Sequence, residues 1–96
     1  MKTVMRMVGL VQGGSTPIDG MYLMEYDPGR DGTLGGQPIT AHILCTQDKS
    51  KAMKFESLVE LTETWKMTDP RNPVRYDGRP NRPLTAFTIE SEACED

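Results

Sequence analysis

Only a few side chains in this sequence are of types that do chemistry. The one histidine, His42, and its nearest cysteine, Cys45, stand three apart in a stretch that reads as a strand. Their side chains then point to opposite faces, which works against a Cys–His nucleophile. Glu60 and Glu63 are three apart in a stretch that reads as a helix, but they fall away from its apolar stripe. A solvated face is expected there, not an acid–base pair. Asp27-Pro28-Gly29-Arg30-Asp31-Gly32 opens like a calcium loop, yet Gly29 holds the third position and Pro38 the twelfth, where a bidentate glutamate is needed. One histidine with the distant Cys45 and Cys94 does not make a zinc set. The glycines of 29–36 lack the Gly-Lys-Ser/Thr ending of a phosphate-binding loop. No enzyme class gains support, and no catalytic residue, cofactor or metal is expected.

Binding chemistry is better represented. Arg71, Arg75, Arg79 and Arg82 recur every three or four residues with Tyr76 among them, and Pro70, Pro73, Pro80 and Pro83 punctuate the same stretch. Prolines restrict the unfolded chain and favour extended segments, so loop 70–83 is expected to be long but stiff. Guanidinium groups on a stiff loop can grip phosphates or carboxylates bidentately, with Tyr76 stacking beside them. The plainer use of the same arginines is to pair with Asp69, Asp77 and the acidic C-terminal stretch, anchoring the loop to its own domain; such surface pairs are common and weak. Tyr22 and Tyr26, on one face of an early strand, and seven methionines are contact material if exposed and core material if not.

Size and composition limit what can position these groups. Ninety-six residues make one domain with a modest stability margin. With 36% hydrophobic residues, nine Gly and seven Pro, long loops and a thin core are expected. The net charge of −3 is unevenly spread: residues 66–82 carry +3 and residues 83–96 carry −4. A general nucleic-acid binder presents a broad basic face, whereas the basic footprint here is local. The two cysteines fit neither a zinc site nor a disulfide scaffold, so a reduced cytosolic protein is the default, with a Cys45–Cys94 bridge left open. No apolar run approaches ~18 residues, and Arg6 interrupts the N-terminal apolar stretch. Neither a membrane span nor a secretory leader is expected.

The elements follow from periodicity. Residues 2–11 read as a strand apolar on both faces, suited to the middle of a sheet. Residues 21–27 read as a second strand, with Tyr22, Met24 and Tyr26 on one face. A flexible glycine-rich loop runs to Pro38, and residues 39–46 read as a third strand. Asp48 caps a helical turn. Ser57-Leu58-Val59-Glu60 is a capping box that opens a helix to about Met67, with Leu58, Leu61 and Trp65 as its apolar stripe and Phe55 as a staple before it. Residues 84–91 alternate as the last strand. The order β-β-β-α-β predicts an α+β fold: a small, mostly antiparallel sheet of about four strands with one main helix packed on one face. The last strand returns beside an earlier one, most simply the first. Residues 92–96 read as an acidic, frayed tail.

One longer pattern joins these segments. Tyr26-Asp27-Pro28, Thr46-Gln47-Asp48 with Ala52 and Phe55, Glu60 and Trp65, and the run from Asp77 to Thr88 stand in this order. With them the chain resembles small uncharacterised accessory proteins of bacteriophages and prophages over residues 20–91. The sharpest part is Arg79-Pro80-Asn81-Arg82-Pro83-Leu84-Thr85-Ala86-Phe87-Thr88. No activity and no catalytic residue travels with the resemblance. It implies a setting, the bacterial host cytoplasm, in which small phage proteins often bind and block a host protein complex, CRISPR effectors included. The expectation is a non-enzymatic inhibitor of that kind, most concretely an anti-CRISPR or other anti-defence protein. Its partner-binding residues would be Arg71, Arg75, Tyr76, Arg79, Arg82, Tyr22 and Tyr26. The alternative is a small nucleic-acid-binding accessory protein using loop 70–83. A homodimer is compatible with either.

Overall fold

The computed structural model describes residues 2–94. In chain order its elements are β1 (Lys2–Leu10), β2 (Tyr22–Asp27), β3 (Gly32–Leu34), β4 (Gln37–Ile39), β5 (His42–Thr46), α1 (Leu58–Trp65) and β6 (Phe87–Cys94). Four strands form an antiparallel sheet in the order β5-β2-β1-β6, and β3 and β4 form a separate hairpin. The fold is α+β, and the last strand lies beside the first. β6 pairs along the whole of β1, from Lys2↔Cys94 to Leu10↔Phe87, with one irregularity between Met7 and Gly9.

β1 alternates strictly enough to serve two layers. Met5 and Met7 point into the main core with Leu23, Phe55, Leu61, Leu84 and Phe87, on the side covered by α1. Val4 points the other way, into a small cluster with Ala52, Cys94 and Tyr22. β1 and β2 meet only near Arg6↔Tyr22. Where they part, residues 53–55 fill the gap: Met53 N–H donates to Leu23 O at 2.9 Å, and Phe55 exchanges two backbone bonds with Thr3 at 2.8 and 2.9 Å. Phe55, expected as a staple on the helix, is thus a core residue that also extends the sheet.

α1 begins as the capping box requires, with Ser57 Oγ accepting from Glu60 N–H at 3.2 Å. The Glu60 carboxylate reaches back one residue further than expected, to the Glu56 amide at 3.3 Å. The helix ends at Trp65, short of Met67, and its stripe is only partly used: Leu61 is buried, Trp65 is half-buried, and Leu58 is 57% exposed. Phe55, not Leu58, belongs to the main core.

Four other expectations are corrected. The glycine-rich loop contains the β3–β4 hairpin, turned at Gly35 and Gly36 with φ of 59° and 81°, the positive values a two-residue turn of this kind needs. The expected strand 39–46 is split, because Thr40 and Ala41 form the corner between β4 and β5. The expected strand 84–91 starts late: Pro83–Ala86 is a 3-10 turn, and Trp65 Nε1–H pins it by donating to Leu84 O at 2.9 Å and Phe87 O at 3.2 Å. β6 in turn runs on through Glu92, Ala93 and Cys94, so three residues assigned to a frayed tail are sheet; Glu95 and Asp96 lie outside the described residues.

Candidate binding surface

Loop 70–83 owes its shape to a chain of short bonds. Asp69, 3% exposed, accepts from the Arg71 backbone amide at 2.8 Å, and its own N–H donates to Asn81 O at 2.9 Å. Asn81 N–H donates to Pro73 O at 2.9 Å, and Asn81 Nδ2 donates to Asn72 O at the same distance. Val74 and Pro80 form a bridge, and Arg75 N–H donates to Arg79 O at 2.7 Å. Residues 72–81 are therefore a narrow hairpin, closed at its tip by Tyr76, Asp77 and Gly78, where Gly78 has φ of 85°. The Asp77 carboxylate accepts from Arg79 N–H at 3.1 Å and stiffens the turn.

The four arginines of the loop divide into two roles. Arg71 is structural. Its guanidinium donates to Asp31 Oδ1 at 2.9 Å and to Thr40 O at 2.6 Å, and Nε lies 3.4 Å from Asp69. One side chain thus ties the base of the hairpin to the β3–β4 unit. The Arg71 backbone amide first, and its guanidinium second, hold the Asp69 carboxyl below the usual carboxylate range. Arg75, Arg79 and Arg82 instead line a groove of about 610 Å3 between the hairpin and the end of β1, together with Gln12. Arg75 and Arg79 approach Asp77 only at 3.9 and 4.0 Å, and Arg82 has no ion pair among the described residues. Exposed pairs at such distances contribute little, so the three guanidinium groups stay available. Tyr76 at the tip is 99% exposed.

Tyr22 and Tyr26 are not part of this surface, nor do they share a face. The pairing of β2 with β5 slips between Leu23 and Glu25, and that bulge at Met24 turns the strand over. Tyr22 packs on the small cluster and donates to Glu92 Oε1 at 3.1 Å. Tyr26 packs against the main core, where burial pushes its phenol up to about 12 and leaves its hydroxyl with no hydrogen-bond partner among the described residues.

Glu90 and Glu92 of the acidic stretch do not reach the arginine loop either. Because β6 runs along β1, Glu90 meets Arg6 at 2.9 Å, and Glu92 meets Lys49 at 3.1 Å and Arg6 at 3.8 Å. This network on the outer face of the sheet was not anticipated. Its only trace in the sequence is the alternation of Glu90 and Glu92, and that is uninformative until the register with β1 is known. His42 Nε2 and Glu25 Oε1 are 3.1 Å apart across the β2–β5 pair, whereas burial pushes the Cys45 thiol up to about 12. The strand order puts β5 and β6 on opposite edges, so Cys45 and Cys94 cannot bridge. Among the described residues no cluster of three or more His, Cys, Asp or Glu is placed to hold a metal ion, and no helix is long and apolar enough to cross a membrane. Comparison with protein-family models, curated proteins and solved structures finds no match to this chain.

Proposed function

We propose that this chain is a non-enzymatic binding module that engages a host protein complex through the 72–81 hairpin. Its most concrete form is a phage-type inhibitor with an anti-CRISPR or other anti-defence role, acting in the bacterial cytoplasm. The observation that carries the reading is Tyr76: a large aromatic side chain, 99% exposed, at the tip of a hairpin whose base is bonded to the rest of the domain. Such a residue adds nothing to its own core, and a pre-ordered aromatic flanked by arginines is the composition of an interface hot spot. The setting rests on the resemblance of residues 20–91 to phage accessory proteins. A pull-down from bacterial host lysate tests the proposal, with Tyr76→Ala and Arg79→Ala as controls. One specific complex should be retained by the parent chain and lost with Tyr76→Ala. Recovery of nothing specific, or capture unaffected by both variants, overturns it.

A second reading is favoured by the convergence of Arg75, Arg79 and Arg82 on one groove. In it the anionic partner is a nucleic acid. Association should then fall steeply as salt rises and disappear when the three arginines are replaced by alanine. Absence of binding to both DNA and RNA at low salt ends that reading.

A further inference from the structure

β6 is an edge strand: β1 pairs with one side of it, and no strand of the described chain pairs with the other. The ladder shows which groups are left over. Thr3 and Met7 of β1 turn their backbone bonds away from β6, Thr3 to Phe55 and Met7 to Gly20 and Met21. Val4 and Arg6 therefore face β6, opposite Glu92 and Glu90. By alternation, the N–H and C=O groups of Ile89, Ser91 and Ala93 point outward. Natural edge strands are guarded by lysines, prolines, bulges or free charges. β6 has no Lys and no Pro, and its two glutamates are already engaged by Arg6 and Lys49. Beside it, between α1 and the strand, runs a groove of about 420 Å3 whose walls include Val11, Leu58 and Ile89. Val11, Leu58 and Val59 are 62%, 57% and 66% exposed. An open strand edge and an apolar rim thus occur side by side.

We infer that β6 is the seam of a symmetric dimer, in which a second copy of this chain adds its own β6 antiparallel to the first. Charge selects the register. With the two-fold axis at Ile89, Glu90 stands opposite the partner's Thr88, whose hydroxyl can donate to the carboxylate. With the axis at Ser91, Glu90 would stand opposite the partner's Glu92, and like charges directly across a strand pair are destabilising. The Ile89-centred register also places the two isoleucines together on the side where Leu58 and Val11 are exposed. The interface is self-complementary and closed, as a two-fold contact must be. It makes one continuous eight-stranded sheet from the four-stranded sheet of each copy, and it leaves the arginine hairpin unused.

Sedimentation equilibrium of the full chain tests the inference, and the expected mass is twice that of one chain. Ser91→Pro removes an outward N–H without touching the ladder to β1, and should weaken association by at least about tenfold. Because that variant could fail to fold, Leu58→Glu with Val59→Glu, both on exposed positions, should give a similar weakening while circular dichroism stays that of the parent. In the parent, the amides of Ile89 and Ser91, which this register sets opposite Ile89 and Phe87 of the second copy, should exchange slowly in proportion to the dimer fraction. A monomer at all concentrations, or a dimer indifferent to the Leu58/Val59 variant with those amides unprotected, overturns the proposal. The first of these outcomes would leave the edge to a foreign strand.

Discussion

Tyr76 and Arg71 sit five residues apart and do opposite work. Tyr76 is almost wholly in solvent, so Tyr76→Ala should change stability by no more than about 0.5 kcal/mol, as is usual for surface positions. The same substitution should abolish capture of the partner, and thermal unfolding and pull-down read the two effects separately. Arg71 is the reverse case. Its fork spans Asp31, Asp69 and the Thr40 carbonyl, a geometry that a lysine cannot copy. That the arginines differ in this way was not legible in the sequence, where all four look alike. Only the buried Asp69 and the position of the β3–β4 unit separate Arg71 from the rest. The prolines announced restricted backbone angles, but the hairpin itself is closed by backbone bonds and by the Asn81 side chain, which the prolines do not foretell.

Among the elements, the β3–β4 hairpin shows most clearly how space is distributed. A Cβ at Gly32 would lie 2.7 Å from the Ala41 carbonyl oxygen and 3.0 Å from His42 Cα, both backbone atoms that have little room to yield. Gly32→Ala should cost roughly 1–3 kcal/mol, the usual range for overpacking, and chemical denaturation measures it. The sequence showed this segment as loop because its strands are three residues long, too short to display a period of two. The Gly35-Gly36 pair was the one local signal of a tight turn. β1 and the start of α1 were legible for the opposite reason: a nine-residue apolar strand and a Ser-x-x-Glu cap are set by their own residues. The faces of β2 were not, since the bulge at Met24 is a property of the pairing with β5 and has no signature in the strand itself. The late start of β6 likewise depends on the Trp65 indole, nineteen residues before Leu84.

For the whole molecule, the carboxylates set the response to acid. Asp69, Glu92 and Asp48 are all held below the usual range: the first chiefly by the Arg71 backbone amide, the second by Lys49, the third by Ser50. A folded value below the unfolded value of about 4 means that the stabilisation is fully present above that pH. It is lost as pH falls through the folded values. Denaturant midpoints should therefore decline between about pH 5 and pH 3, and Asp69→Asn should flatten part of that decline while lowering the midpoint near neutrality. A pH-independent midpoint would contradict these pairings.

The pairing of β1 with β6 also has a consequence during synthesis. β1 leaves the ribosome well before β6, with Met5 and Met7 still uncovered, and its longest partner is not made until Phe87–Cys94 has emerged. No contiguous portion of the nascent chain that lacks those residues can close the main core, because Phe87 and Leu84 both belong to it. Closing the core therefore joins segments about eighty residues apart in sequence, a contact that carries a high loop-closure cost.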